Sequence, residues 1–144
     1  MKKRFAAHYI FLGEGKIYKQ YYLELGDNND IAGVYPLETE IEGTVFHNGI
    51  LFPVSDKWNL HPVEILDKLK ELSQLYPEDS VFRLLEYSGW VCDERDVPVH
   101  VFQLDGIDLV AAKFAVNDEN HNPCMKSLSS VIPISLYGNR RLQV

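Results

Sequence analysis

The stretch 46–54, FHNGILFPV, decides how the chain around it is interpreted. Its Asn48-Gly49 pair is the strongest short hairpin signal in a sequence, because both residues tolerate a positive φ at low cost. An apolar run at 50–52 follows, and Pro53 comes next with no N–H to donate to a ladder. We therefore predict two short strands joined by a turn at Asn48-Gly49, with Pro53 ending the second strand.

The residues before this stretch have the turn spacing of an antiparallel β-meander. Apolar and aromatic residues dominate the segments 5–12, 17–25 and 31–37, which are separated by a glycine-rich turn and a polar turn. Within the second segment, Tyr21 begins an alternation of side chains that suits the two faces of a strand. Pro36 marks the third segment as peripheral. We therefore predict three strands before the pair at 44–52.

The pattern changes after residue 54 and predicts a helical insert at about 60–90. Apolar residues at 63, 65, 66, 69 and 72 form a stripe at helical spacing, with Pro62 in the first turn and Asp56 or Asn59 as the cap. A second, shorter helix is predicted to start at Asp79 or Ser80 and to stop at Gly89.

From residue 97 the β pattern returns. We predict a strand at 99–104, a hairpin turn at Asp105-Gly106, a strand at 107–116, a polar loop at 117–123 and a last strand at 129–137. Two β segments that flank a helical insert need a common core. The prediction is a single α+β, β-rich domain spanning 1–144. Its N- and C-terminal strands, at about 4–54 and 97–137, build a small sandwich or barrel-like sheet with a two-helix insert.

Charge and hydropathy narrow the classes of partner. The chain has 144 residues, 46% of them hydrophobic, and a net charge of −7. An acidic surface repels nucleic acid and anionic lipid, so we expect neither a nucleic-acid partner nor a membrane partner. The Met-Lys-Lys-Arg start lacks the apolar run of a signal peptide, and no segment has the apolar length to cross a bilayer. We expect a cytoplasmic protein.

Two motifs, NGILFP at 48–53 and GIDLV at 106–110, resemble segments of metal-dependent amidohydrolases of the cytosine-deaminase and chlorohydrolase type. The resemblance covers most of the chain. It implies the composite domain of that family, a small β-sandwich whose N-terminal strands lead into a (β/α)8 barrel and whose C-terminal strands return to complete the sandwich. The helical piece at 62–89 resembles the last helices before that return.

The chain departs from this family at the metal site. The family places His-x-His shortly after the proline, whereas VSDKWNLH follows Pro53 here. A complete barrel needs about 250 residues. The resemblance therefore implies a composite domain whose barrel is replaced by two helices, with no family metal ligand or catalytic residue to carry over. We expect no enzymatic activity, no catalytic residue, no metal site and no cofactor.

The residue patterns supply few other candidates for chemistry. No two of the five histidines share an i,i+2 or i,i+4 spacing, which favours surface or satisfied roles over a metal site. Cys124 and His121 lie three residues apart. They are either a nucleophile and its activating base or two residues of a polar loop. The glutamates at 38, 40 and 42 form either a cation cluster or the wet face of an extended segment. The histidines are His8, His47, His61, His100 and His121.

Aromatic residues are the candidates for binding. They are dense in the first 60 residues, and tyrosine at strand spacing lines an interface, lines a ligand groove or covers a sheet. The candidate interface or groove residues are Tyr9, Tyr21, Tyr22, Tyr35 and Trp58.

The predicted function is that of a non-catalytic, stand-alone relative of the accessory domain, acting through protein–protein contacts as a homodimer or with a barrel-bearing hydrolase. The alternatives are a small-ligand binder with an aromatic cleft between sheet and helices, and an accessory subunit of a metal-dependent hydrolase.

Overall fold

The computed structural model describes residues 3–39, 43–114 and 122–128. Six strands form one mixed sheet in the order β3-β2-β1-β4-β5-β6, antiparallel throughout except that β1 and β4 run parallel. This confirms the predicted α+β, β-rich class, in which strands from both parts of the chain share one sheet around a two-helix insert. The elements are β1 (Lys3–Phe11), β2 (Ile17–Leu25), β3 (Ile31–Pro36), β4 (Thr44–Ser55), a 3₁₀ turn (Asp56–Trp58), α1 (Pro62–Leu75), α2 (Val81–Ser88), β5 (Val99–Asp105) and β6 (Cys124–Ser127).

The sheet curls until the β2–β3 turn meets the start of β5. The Val99 N–H donates to the Asn29 carbonyl at 2.9 Å, and Arg95 Nη1 donates to the Ala32 carbonyl at 3.0 Å. This curl gives the sheet a barrel-like concave side, which buries one group of apolar side chains. We call this group the inner cluster: Ala7, Ile10, Leu12, Leu23, Leu25, Ile31, Leu51, Val99 and Val101.

The two helices pack on the convex, outer side of the sheet. α1 buries Ile65, Leu69 and Leu72, the i, i+4, i+7 stripe that its sequence predicts. The apolar face of α2 lies beside them, and Phe82 reaches Phe11 of β1 with ring centroids 5.3 Å apart. We call the resulting group the helix-covered cluster: Phe11, Ile50, Phe52, Val54, Ile65, Leu69, Leu72, Val81, Phe82, Leu84, Leu85, Phe102, Leu104, Ile107, Phe114 and Met125.

The helix ends confirm one predicted cap and correct another. Ser80 caps α2, its Oγ accepting from the Arg83 N–H at 3.3 Å, and Gly89 ends the helix at φ +75°. The cap of α1 is His61, so the prediction of Asp56 or Asn59 was wrong. The 3₁₀ turn at Asp56–Trp58 uses those residues, and the Glu64 carboxylate accepts from the His61 N–H at 2.9 Å instead.

The predicted hairpin at Asn48-Gly49 was wrong, because β4 runs straight through these residues. Between the pairs Ala7–His47 and Tyr9–Ile50, β4 advances one residue more than β1, which is a β-bulge. Gly49 has φ +88°, and a Cβ there would collide with the Leu104 carbonyl. The conformational freedom of Gly49 is therefore used to absorb an extra residue within a strand.

Pro53 does not end the strand as predicted, since β4 continues to Ser55. The Pro53 carbonyl accepts from the Cys92 N–H at 2.9 Å, away from its β5 neighbour Val101. Because the N–H and C=O of one strand residue point to the same side, Pro53 occupies a position whose missing donor costs the β4–β5 ladder nothing.

The strand predicted at 107–116 is absent from the described residues 107–114. Asp108 Oδ1 accepts the Val110 and Ala111 N–H groups at 3.0 and 3.3 Å, and the Ala112 N–H donates to the Asp108 carbonyl. These local bonds compete with a ladder. β5 pairs instead with β6, part of a stretch for which no strand was predicted. Residues 115–121 of the predicted strand and loop, and the last predicted strand at 129–137, lie outside the described residues.

Candidate functional site

One row of side chains crosses the outer side of four strands where the described helices do not lie. Ala6 of β1 pairs with Phe46 of β4 and with Tyr22 of β2, and Tyr22 pairs with Tyr35 of β3. Directly paired residues project from the same side of a sheet, so the four form a continuous row. We call Phe46, Ala6, Tyr22 and Tyr35 the outer aromatic row.

The row is ordered by contacts among its own members. The Tyr22 and Tyr35 rings lie 5.5 Å apart, and the His8 ring meets Phe46 edge-on at 5.2 Å. Tyr35 folds back over Gly33, whose lack of a side chain makes room for the ring. Phe46 is 48% exposed and Tyr35 41%, so the row presents two large apolar surfaces to solvent.

A charged pair lies beside the row, one step along the same side of β1 and β2. Arg4 Nε and Glu24 Oε2 are 2.9 Å apart, and Glu24 is buried. Each charge offsets the other, since opposite charges at this separation attract strongly once partly removed from water. The charges of Arg4 and Glu24 therefore offset each other beside the aromatic row, on a chain with a net charge of −7.

The five predicted aromatic candidates do not gather in one groove. Tyr22 and Tyr35 meet in the outer aromatic row, whereas Tyr9 packs beneath α2 with its ring 5.7 Å from Phe82. Tyr21 packs against the inner cluster. Trp58, half-exposed, lies in the 3₁₀ turn. Phe46 is the aromatic member of the row that was not among the candidate binding residues, because its predicted position beside a hairpin turn hid its pairing with Ala6.

A groove of about 580 Å³ separates the start of α1 from the outer side of β5 and β6. One wall comes from the segment that enters α1, and the other from the two strands. An aromatic ligand cleft was predicted between sheet and helices. The groove lies in that position, but Phe102 is the one phenylalanine, tyrosine or tryptophan among its described lining residues. We call it the α1–β6 groove; it is lined by Asn59, Leu60, His61, Pro62, His100, Phe102, Met125, Lys126 and Ser127.

Two histidines support β4 near the bulge. His8 Nδ1 accepts from the Gly49 N–H at 3.1 Å, which ties a ring nitrogen to the bulge backbone. His47 is half-buried, and its pKa lies below the usual value because burial disfavours the imidazolium and Lys126 repels it. His8 thus contacts the bulge backbone, whereas His47 lies half-buried on β4.

A smaller crevice of about 230 Å³ lies between the 13–15 turn and the end of α2. Two of the three carboxylates that line it have partners: Glu86 accepts from the Gly15 N–H at 2.7 Å, and Asp93 pairs with Lys16. The hydrogen bond to Asp93 raises the Lys16 pKa, with burial opposing it. These contacts hold the β1–β2 turn against the insert. We therefore interpret the crevice as part of the packing between them.

Metal-binding groups, paired cysteines and membrane spans are all missing from the described part of the chain. Within 3–39, 43–114 and 122–128, no group of three or more His, Cys, Asp or Glu is placed to hold a metal ion. Both Cys92 and Cys124 are free thiols, and His121 lies outside the described residues. Neither described helix has the length and apolar character to cross a membrane.

Comparison with known proteins adds no relative. No protein-family model, curated protein or solved structure matches this chain. The candidates for function are therefore the outer aromatic row and the α1–β6 groove themselves.

Proposed function

We propose that this chain is a non-catalytic protein-binding module that pairs with a second copy of itself through the outer aromatic row. The observation that carries the proposal is the exposure of Phe46 and Tyr35 on a sheet side whose other half is covered by helices. Tyrosine and phenylalanine are enriched in the buried centres of interfaces, where they remove large areas from water with few rotatable bonds.

Charge favours a second copy as the occupant. Two chains of net charge −7 repel at long range, so a self-contact needs a surface without net charge. Arg4 and Glu24 offset each other's charge beside the row, which lowers the repulsion that a self-contact there must overcome. A two-fold contact also uses the same patch twice, so one row suffices for both partners.

The chain is further proposed to be a stand-alone relative of an amidohydrolase accessory domain. Support comes from how the insert is attached: Ser55, the last residue of β4, pairs with Val99, the first residue of β5. The whole insert therefore leaves and re-enters the sheet at neighbouring points. In the family that the sequence resembles, a catalytic barrel is inserted between sandwich strands, and a barrel-bearing hydrolase is the second candidate partner.

Light scattering after size exclusion tests self-association. We expect a dimer that dissociates on dilution through the micromolar range, and Phe46→Ser and Tyr35→Ser should each weaken it by about tenfold or more, as loss of an interface aromatic does. Val63→Ser is the matched control, because Val63 is 64% exposed on α1, away from the row, and its replacement should leave the dimer unchanged.

Two outcomes would contradict the proposal. A wild-type monomer at all micromolar concentrations removes the second copy as partner, and equal weakening by Val63→Ser removes the row as the contact surface. Stoichiometric zinc or iron in protein purified without chelator would overturn the non-catalytic assignment, because such a metal must be held by histidine, cysteine or carboxylate ligands.

A further inference from the structure

His8 lies at a gap in the ladder between β1 and β4. Between the regular pairs on the two sides of the bulge, β1 contributes His8 alone and β4 contributes Asn48 and Gly49. The His8 side chain supplies an acceptor at this gap, because its Nδ1 accepts the Gly49 N–H at 3.1 Å. Gly49 is buried, and a buried N–H that loses its acceptor is costly. The hydrogen bond to His8 therefore helps to fix the backbone of the bulge.

The same ring contacts the most exposed side chain of the outer aromatic row. Phe46 is 48% exposed, and its ring meets the His8 ring edge-on, with centroids 5.2 Å apart and planes at 82°. Edge-to-face contacts of this kind orient both rings. A change in the position of the His8 ring is therefore transmitted to Phe46 as well as to Gly49.

The hydrogen bond to Gly49 requires a neutral imidazole. In the neutral ring one nitrogen carries a hydrogen and the other accepts, whereas the imidazolium carries a hydrogen on both nitrogens and accepts from no donor. A proton taken up from solvent at Nδ1 would point at the Gly49 N–H across 3.1 Å, so that two donors face each other. Protonation of His8 therefore breaks this hydrogen bond.

We infer that His8 is a proton-sensitive switch of the β4 bulge, which holds Gly49 and Phe46 in place when it is neutral and releases both when it is protonated. Release displaces Phe46 and puts a positive charge beside the outer aromatic row, so acid weakens self-association. A two-fold contact brings two copies of the row together, and each copy carries such a charge. This last step rests on the proposed dimer, whereas the switch at the bulge does not.

The charges around His8 come from its own strand and from four neighbouring elements. The polar and ring contacts of His8 in the described part of the chain are the Gly49 N–H and Phe46, so no carboxylate there matches a proton on the ring. Two pairs of opposite charge offset each other, Arg4 with Glu24 and Arg83 with Glu86. The charged or titratable groups are Arg4 on β1, Lys19 and Glu24 on β2, His47 on β4, Asp105 on β5, and Arg83 and Glu86 on α2.

NMR spectra of the isotope-labelled full chain between pH 7.5 and about pH 5 test the switch at the bulge. The Gly49 amide proton should move with the same midpoint as the His8 ring resonances, because loss of a hydrogen bond changes its chemical shift. This comparison of midpoints uses the wild type alone.

His8→Asn is the matched variant for that measurement. The asparagine Oδ1 takes the place of Nδ1 on the same Cγ atom and accepts a hydrogen bond at every pH, so the Gly49 amide should no longer follow pH in this range. His47→Gln keeps His8 and should keep the wild-type response. The amide spectrum of each variant at pH 7.5 checks that the fold is kept.

Light scattering on dilution at the same two pH values tests the effect on self-association. We expect the dimer Kd of the wild type to rise by about tenfold in acid, the scale of one lost hydrogen bond, and that of His8→Asn to change by less than about threefold. Acid also lowers the net negative charge of both proteins, so the difference between them isolates the His8 ring.

Two results would overturn the inference. The first is a Gly49 amide that does not follow the His8 ring, or that follows pH equally in His8→Asn. The second is a dimer Kd with the same pH dependence in the wild type and in His8→Asn. A chain that stays monomeric while its Gly49 amide follows His8 would support the switch and remove the proposed dimer.

Discussion

The outer side of the sheet has two halves that differ in what covers them. Phe52 and Phe46 both belong to β4 and project from the same side, yet Phe52 is 1% exposed under the helices and Phe46 is 48% exposed. The residue type is the same and the strand is the same. The exposure of the two residues differs because the insert covers Phe52 and not Phe46. Coverage by the insert, and not local hydrophobicity, therefore divides this surface into a core and a candidate contact site.

The bulge at Gly49 separates these halves. Gly49→Ala is therefore the substitution expected to lower the free energy of unfolding most. The substitution adds strain at φ +88° and drives a Cβ into the Leu104 carbonyl, and we expect the free energy of unfolding to fall by about 3 kcal/mol or more. Urea denaturation monitored by tryptophan fluorescence measures the loss.

Gly89→Ala is the control for that measurement. Gly89 has φ +75°, but apart from its chain neighbours and the helix backbone no atom lies within 4 Å of the place its new methyl group would take, so the strain of a positive φ should cost only about 1 kcal/mol. Equal losses of unfolding free energy in the two variants would mean that the close approach of Gly49 to Leu104 does not affect stability. The bulge would then not fix the boundary between the two halves of the outer side.

Truncating one phenylalanine in each half of the outer side compares how much each half contributes to stability. Phe82→Ala removes a ring that packs on Phe11 and Tyr9, and we expect a loss of about 3 kcal/mol from lost burial and the remaining cavity. Phe46→Ala should cost less than about 1 kcal/mol in the dilute monomer, because its ring is already half in water. Similar losses in the two variants would show that both halves are core.

The smallest expected effect concerns His47, next to Phe46 on β4. Its pKa is below the usual value in the folded chain, so the unfolded chain binds the proton first as the pH falls. Stability is therefore complete above about pH 6.5, the usual histidine value, and declines below it. The decline should be less than about 1 kcal/mol, because the half-buried ring is screened by water.

Denaturation at pH 7.5 and at lower pH, compared with His47→Gln, measures this contribution. Lys126→Met should raise the His47 pKa part of the way to its usual value, since burial, the larger cause, remains. An NMR titration of the His47 ring reports that shift. A His47→Gln variant with the same pH dependence as the wild type would assign the decline to other groups.

Local signals predicted the helical insert and the class of the fold. Ser80 and Gly89 mark the ends of α2 by the chemistry of capping, and the stripe of α1 follows from helical periodicity, so short windows of sequence suffice for them. The alternation of Leu23 and Leu25 likewise identifies β2 and its buried side. Each of these features depends on residues close together in the chain.

The errors came from signals that are satisfied in more than one way. Asn48-Gly49 tolerates positive φ in a hairpin turn and in a bulge alike, and only the presence of β1 and β5 on both sides of β4 selects the bulge. The outer aromatic row depends on register between strands about forty residues apart in sequence, which no short window of the sequence contains. The lining of the α1–β6 groove comes from three segments that are far apart in the sequence, so no short window of the sequence contains it either.

The parallel pairing of β1 with β4 has a consequence for biosynthesis. Arg4 is paired with Thr44, so β1 waits for its neighbour β4 until β2 and β3 have also left the ribosome. During that interval Ile10 and Phe11, both fully buried in the finished protein, face water on a nascent three-stranded sheet with an open edge. The segment β1 to β3 is therefore exposed to aggregation and to chaperone binding while the chain is being made.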